Sequence, residues 1–492
     1  MLAMSENLML QSATHLAHLV RTKQVSAREL IAAAFDQIER QNPQLNAVIS
    51  ERRAQAEQDA DRLVDHGQHF LGVPLLLKGL GQAKAGLPAT NANRLFADQI
   101  AHQSSNFTKA LEAAGFVIIG QTNYPEFGFK NVTDSQMYGD AHNPWNLAYY
   151  PGGSSGGAGA AVAAGLLPLA AASDGGGSIR IPASWTGTIG LKPTRGRIVT
   201  GPTDWRSWQG AAGSFAITRS VTDTARLLEA LQALQPAAVF QVPLAASFTD
   251  RLNELPPLKI GYLTTSPVGT PVDDEAVQAV QQAVTFLQGQ GLTVEEVDWP
   301  TNGRQLMETY YLMNEGETAA MFDQIAAGLG RPVTPADMEP LTWALYQTGT
   351  HVSASQYSRA LSAWDLAGEQ MARFHEQYDL LLTPTTATIA PRIDQPLNTP
   401  AELATMAHIT ELSPAEQQQF IWDQWLAALT RSPFTQQANL TGEPAISLPT
   451  YVTDAGLPLG IQFIAGKGQE LQLLQIAACF ERHGQFHFLH AN

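Results

Sequence analysis

The sequence predicts an α/β fold: a large mixed, mostly parallel sheet covered by helices on both faces. Three observations predict it. Short apolar runs of strand length recur along the chain, helical stretches separate several of them, and glycine or proline marks the ends of the runs, as in βαβ units. With 492 residues, 44% of them hydrophobic and 15% charged, the chain can bury a sizeable core and has the composition of a globular protein.

Residues 12 to 65 read as helical, with Ser26-Ala-Arg-Glu29 forming a capping box ahead of Leu30, Ala34 and Ile38 on one face. Residues 1–70 are expected to pack as a helical segment on a core spanning 71–492, making one compact unit. Gly72-Val-Pro-Leu-Leu-Leu77 suits a buried strand that ends at Lys78. Phe107 to Gly115 reads as helix, Phe116-Val-Ile-Ile119 as strand, and Gly120-Gln-Thr-Asn-Tyr-Pro125 as the loop beyond it. Further strand-length runs fall at Leu258–Leu263, Leu292–Val297, Leu380–Leu382, Ala445–Leu448 and Leu459–Ile464, with a helix over Asp273–Gln288. A largely helical insertion is expected at about 301–376. It reads as a lid or a substrate-facing insertion, while its Trp343, Tyr346, Tyr357 and Trp364 are each read first as aromatics that pack helices onto the sheet.

Composition narrows the function. Twenty-nine basic against 45 acidic residues give a net charge of −16, which repels phosphate backbones and anionic lipid, so neither nucleic acid nor membrane is expected as a partner. The single cysteine, Cys479, allows no intrachain disulfide or cysteine zinc cluster and is read as core on a helix face. MLAMSENLML lacks the basic start of a secretory signal, so the cytoplasm is the expected compartment. The uncharged stretch Trp145–Ser173 is too weakly hydrophobic for a membrane span. His483 and His487 stand at i, i+4 without the glutamate of a zincin, and no nucleotide-binding glycine motif is present. No metal or cofactor is expected.

The chemistry is concentrated between Pro151 and Gly196. Two glycine-rich loops, Gly152-Gly-Ser-Ser-Gly-Gly157 and Asp174-Gly-Gly-Gly-Ser178, flank an alanine-rich helix. Consecutive glycine N–H groups beside a serine supply what an oxyanion hole needs, which marks Ser178 as a nucleophile. A serine needs a base. None of the 12 histidines has a comparable setting, whereas Lys78 follows a buried apolar run, where desolvation lowers an amine's pKa and lets it accept a proton.

PGGSSGG, then DGGGSIRIPA with Ser178 placed 24 positions after Ser154, then GTIGLKPTRG, resemble the amidase signature family. GVPLLLK, GQTNYPEF, NPWN, NLTGEPAISLP and GLPLGIQFI extend the resemblance from roughly residue 12 to 480. The family includes fatty acid amide hydrolases, aminohexanoate cyclic-dimer hydrolases and the glutaminase subunit of tRNA-dependent amidotransferases. The resemblance implies the family's fold and a Ser-cis-Ser-Lys triad: Ser178 as nucleophile, Ser154 as bridging serine after a cis peptide bond, and Lys78 as base. It further implies oxyanion donors at Gly175, Gly176, Gly177 and Ser178, with Ser155 supporting the network and Asp174 and Arg180 bracing the loop. The implied reaction is hydrolysis of a small-molecule carboxamide, linear or cyclic, through a seryl acyl-enzyme, by a monomer or homodimer. Trp205, Trp208 and Tyr138 are candidate pocket walls, with core packing the preferred role for each.

Two positions depart from the family pattern. Gly79 stands where members commonly carry an acid after the lysine, and Glu443 stands where an apolar residue is frequent. Three alternatives compete. Gly152-Gly-Ser154-Ser-Gly156 satisfies the esterase elbow G-x-S-x-G, but the two prolines of the segment before it leave no room for the required strand. A glutaminase-type subunit of a tRNA-dependent amidotransferase would work only with partners. A catalytically dead binding protein rests on Gly79 alone.

Overall fold

The computed structural model describes residues 7–490, so Met1–Glu6, part of the stretch read for a targeting signal, lie outside the described residues. The chain opens with helices α1 (Ala13–Arg21) and α2 (Ala27–Leu45), the latter started by the Ser26/Glu29 capping box. Strand β1 (Val48–Glu51) then interrupts the continuous helical reading of residues 12–65 before α3 (Arg53–Asp61). The β-branched pair Val48-Ile49 follows Asn46, whose left-handed backbone ends α2, and β1 finds an antiparallel partner in β3 (Val117–Thr122). On the other side β3 pairs in parallel with β2 (Pro74–Lys78), giving a three-stranded sheet in the order β1-β3-β2. The helix α4 (Asn106–Ala113) connects these two strands, which is the predicted βαβ unit.

A two-stranded ribbon, β4 (Asp134–Ser135) with β5 (Gly139–Asp140), precedes the serine loops. Next come α5 (Gly156–Ala163), β6 (Leu169–Asp174), α6 (Arg180–Thr186), β7 (Ile189–Lys192), β8 (Gly213–Thr218) and α7 (Val221–Leu231). The C-terminal half adds β9 (Lys259–Tyr262), α8 (Asp274–Gly289), β10 (Thr293–Glu296), the long α9 (Gly303–Leu329), α10 (Pro340–Gly349) and α11 (Ala354–Phe374). The chain continues through β11 (Leu380–Pro384), α12 (Pro400–Ala407), α13 (Pro414–Arg431), α14 (Gln436–Thr441), the hairpin β12 (Ala445–Val452) and β13 (Pro458–Ala465), and α15 (Glu470–Arg482).

The main sheet has eight strands in the order β10-β9-β11-β13-β12-β7-β8-β6. It is mixed, but the expected parallel majority is corrected. Only β10/β9 and β9/β11 run parallel, while β11/β13, β13/β12, β12/β7, β7/β8 and β8/β6 are antiparallel. The reason lies in the connections. The short turn at Thr453–Leu457 returns β13 directly beside β12, and β6 is a small-residue segment while β7 and β8 are short runs containing glycine, so sequence periodicity does not expose them.

One hydrophobic cluster joins α1, α2, β2, β3, β6, β8 and α15, so the N-terminal helices share the core of the sheet. The 301–376 stretch carries α9, α10 and α11. Trp364 and Tyr357 pack with Leu306 and Met313, and Trp343 and Tyr346 pack around Phe322. Cys479 is buried on α15. That helix ends at Arg482, so His483 and His487 share no helix face. Among the described residues no helix is long and apolar enough to cross a membrane, and no three His, Cys, Asp or Glu side chains gather as a metal site.

Candidate active site

Strand β2 is buried along its whole length and carries Lys78 into the interior at its C-terminal end, with no exposed surface. Gln82 fixes that end: its Oε1 accepts from the Lys78 N–H at 2.8 Å, and its Nε2 donates to the Ala172 carbonyl on β6 at 2.8 Å. The Lys78 Nζ donates to Ser154 Oγ at 2.7 Å and to Ser173 Oγ at 3.0 Å. Burial pushes Lys78 down to about 7, against the opposing pull of the Asp174 charge. The amine is therefore substantially neutral at neutral pH and can take up a proton.

Gly79 has a packing reason. A Cβ there would lie 2.2 Å from Cε1 of Tyr124, whose buried ring fills the space an acidic side chain would need. The Tyr124 hydroxyl is held by the Ala92 N–H at 3.1 Å and lies 3.2 Å from Thr90 Oγ1.

Ser154 sits in the Gly152–Gly156 turn, after a cis Gly153–Ser154 peptide bond, and is almost fully buried. Neighbouring Ser155 clamps the turn to β6: its Oγ donates to the Ser173 carbonyl at 3.1 Å and accepts from the Ser173 N–H at 3.3 Å. Ser173 was not singled out in the sequence. It closes a run of leucine and alanines with no motif character, and the one available signal was its place directly before Asp174 at the end of a short strand.

Ser178 lies half-buried between β6 and α6, in the wall of a cavity of about 570 Å³ that Ser154, Ser173, Gly175 and Gly176 also line. The preceding turn is organised by Asp174, which pairs with Arg180 through two 2.9 Å contacts, both side chains fully buried. Burial alone would raise the Asp174 carboxyl, but the charge and hydrogen bonds of Arg180, with Asn439 at 2.9 Å, hold it far below the usual range. Arg180 also donates to the Thr435 carbonyl and Gln462 Oε1, each at 2.7 Å, and to Asn439 Oδ1 at 2.6 Å. The Tyr310 hydroxyl holds the Gly175 carbonyl at 3.1 Å and the Thr435 hydroxyl holds the Gly176 carbonyl at 2.7 Å.

Gly177 departs from the expectation of an oxyanion donor, because its N–H donates to Asp174 Oδ1 at 2.7 Å. Among the described residues the N–H groups of Gly176 and Ser178 meet no such acceptor. A peptide plane points its N–H opposite its carbonyl, so the Tyr310 anchor on Gly175 sets the direction of the Gly176 N–H.

Aromatic and methionine side chains from the loop after β3 and from α9 and α13 make the apolar wall, with Phe127, Phe129, Met307, Tyr311 and Trp425 prominent. Trp205 and Trp208 line the cavity, whereas Tyr138 is turned to Thr90 Oγ1 at 2.6 Å. The contribution of α13 was missed, since Gln424, Trp425 and Ala428 belong to a stretch without a family motif. Lys192 also lines the cavity, pushed down to about 7 by burial and by Arg180. Glu443 is away from this wall. It is buried, accepts from the Thr441 hydroxyl at 2.7 Å, and lies 3.1 Å from Nε2 of His375.

A family model described as Amidase matches residues 29–474. The chain is 49% identical over 472 residues to a lipoamidase of Enterococcus faecalis, covering 96% of this chain but only 63% of that longer relative. It is 34% identical over 480 residues to a 6-aminohexanoate-cyclic-dimer hydrolase of Paenarthrobacter ureafaciens, covering 96% of this chain and 94% of that one. A solved structure of 6-aminohexanoate cyclic dimer hydrolase complexed with substrate superposes with a TM-score of 0.88 at 33% identity, covering 96% of this chain and 97% of that one.

Proposed function

Because the chain belongs to the amidase signature family, we propose that it hydrolyses a carboxamide C–N bond with Ser178 as nucleophile, Ser154 as bridge and Lys78 as base. Ser178 Oγ attacks the carbonyl carbon while its proton passes to Ser154 and the Ser154 proton to neutral Lys78. The N–H groups of Gly176 and Ser178, with Gly175 beside them, receive the developing oxyanion. The relay then runs backwards: Lys78 returns a proton through Ser154 to the nitrogen, the C–N bond breaks, and ammonia or amine leaves. Water attacks the acyl-enzyme by the same route and releases the carboxylate.

The observation that carries this reading is the 2.7 Å contact between a fully buried lysine amine and the Ser154 hydroxyl, in a wall shared with Ser178. The relatives' names suggest the substrate. A lipoamide and a cyclic dimer of 6-aminohexanoate both present an amide on a flexible aliphatic acyl chain. A cavity of about 570 Å³ with an aromatic and methionine wall suits such a chain.

The test is turnover of an amide panel that includes both compounds by wild type, Ser178→Ala and Lys78→Ala, with fluorophosphonate labelling of Ser178. Ser178→Ala should abolish turnover and labelling together, and Lys78→Ala should nearly abolish turnover. A Lys78→Ala enzyme with wild-type activity at neutral pH refutes the relay.

A further inference from the structure

The motif Gly120-Gln-Thr-Asn-Tyr-Pro-Glu-Phe127 supplies no atom to the relay, yet its Glu126 is buried with both carboxylate oxygens engaged. Oε1 accepts from Asn93 Nδ2 at 2.7 Å; Oε2 accepts from the Glu339 N–H at 2.9 Å and from the Thr342 hydroxyl. The latter two donors form the N-terminus of α10, whose unpaired N–H groups favour a carboxylate. Asn93 Nδ2 also donates to the Asp337 carbonyl at 3.1 Å. Lys130 Nζ donates to Glu339 Oε2 at 2.7 Å and to Asp134 Oδ1 at 3.0 Å, and the Gln136 N–H donates to Glu339 Oε1 at 2.9 Å. One end of this segment is thus fastened to the helix that brings Leu341 into the cavity wall.

The other end is fastened to the turn that carries Ser154. Thr133 Oγ1 donates to the Gly152 carbonyl at 2.9 Å and accepts from the Gly156 N–H at 3.2 Å. A Cβ on Gly153 would lie 2.5 Å from the backbone of Val132, and one on Gly128 would lie 3.1 Å from Ser154 Oγ. Between the two ends the chain has only the 3-10 turn Glu126–Gly128, in which Phe127 holds φ +48°, so its anchors fix its position more than any regular structure of its own.

We propose that Glu126 is a positioning residue: by pinning the 126–133 segment to α10, it holds the Ser154 hydroxyl within reach of Lys78 and couples the cavity wall at α10 to the proton relay. The proposal rests on the Ser178, Ser154 and Lys78 reading. A glutamine at 126 keeps the size but sets an NH2 group against donors, and a valine at 342 removes the α10 hydroxyl without touching the loop.

The experiment measures, on the full-length chain, kcat and KM for hexanamide, the second-order rate of fluorophosphonate labelling of Ser178, and the thermal midpoint. Four proteins are compared: wild type, Glu126→Gln, Thr342→Val and Thr342→Ser. Misplacement of a reacting group by about 1 Å costs on the order of a hundredfold in rate, so Glu126→Gln and Thr342→Val should lose about tenfold to a hundredfold in kcat, with KM within about twofold. The labelling rate should fall by the same factor as kcat, and Thr342→Ser should stand near wild type. Unchanged kcat and labelling in folded variants, or a rise in KM alone, overturns the proposal. Where Glu126→Gln does not fold, Thr342→Val decides the matter. Failure of the underlying relay is distinguishable, because it appears in Ser178→Ala or Lys78→Ala, whatever the Glu126 variants do.

Discussion

Acidification is the perturbation that tests the base most directly. Lys78 is fully buried and is pushed down to about 7 by desolvation. In the proposed relay the neutral amine is the acceptor, so activity should require the deprotonated form and be lost as pH falls through that value. With a value of about 7, roughly nine tenths of Lys78 is neutral at pH 8, about a tenth at pH 6 and about a hundredth at pH 5. In an assay with an amide substrate that carries no titrating group, log kcat/KM should therefore drop by about one per pH unit below about pH 6.5. Glu126, raised to about 7 by burial against its hydrogen bonds from Thr342, Glu339 and Asn93, becomes neutral over the same range. If its carboxylate form holds the loop, the limb is steeper than one proton and never shallower. Equal kcat/KM at pH 8 and pH 6 would refute a neutral-lysine base. So would an acid limb that survives unaltered in the residual activity of Lys78→Ala.

Three further outcomes are expected. Ser173→Ala removes a hydroxyl that accepts from Lys78 Nζ at 3.0 Å and so favours the ammonium form, and the acid limb of kcat/KM should move to lower pH; a shift to higher pH contradicts the assigned hydrogen bond. Gly79→Ala forces a methyl to within 2.2 Å of the Tyr124 ring, which is anchored at its hydroxyl. It should destabilise the fold by about 1–3 kcal/mol in urea unfolding, with partial relief in the double variant carrying Tyr124→Leu. Asp174→Asn leaves the buried Arg180 guanidinium without its carboxylate and should cost about 3–5 kcal/mol by the same measurement, and a loss under about 1 kcal/mol would show the pair to be dispensable.

The sequence made some parts of this molecule legible and hid others for identifiable reasons. Strands β2, β3, β9, β11, β12 and β13 are branched or leucine-rich runs with clear ends, and these were found. Strand β6 is Leu-Ala-Ala-Ala-Ser-Asp, too small in its side chains to read as a strand, and with it went Ser173 and the antiparallel character of that end of the sheet. Strand β1 was absorbed into a helical reading because its four residues lie between two helices and declare themselves only through pairing with β3. Ser178 and Lys78 stood out locally, through a glycine loop and a buried strand end, whereas Ser154 and the grouping of the three came only with the resemblance to the amidase signature family. The commitment of the Gly177 N–H to Asp174 was not legible, since which N–H groups of a triglycine turn face inward depends on the anchors Tyr310, Thr435 and Asn439, which are remote in sequence.

The Asp174–Arg180 pair bears on how a carboxylate and a neutral lysine coexist in one interior. Asp174 has to be ionised to gather the N–H groups of Gly177 and Ile179 and so shape the turn that presents Ser178. An unpaired negative charge there would pull Lys78 back toward its ordinary range and spoil it as a base, and the Asp174 charge does act on Lys78 in that direction. Arg180 resolves the conflict. Its guanidinium sits at 2.9 Å from both carboxylate oxygens, an opposite charge beside the carboxylate, and burial remains the larger influence on Lys78. In the proposed relay the buried ion pair would serve twice, by fixing the loop that carries Ser178 and by offsetting that loop's charge near Lys78, although neither of its members belongs to the relay.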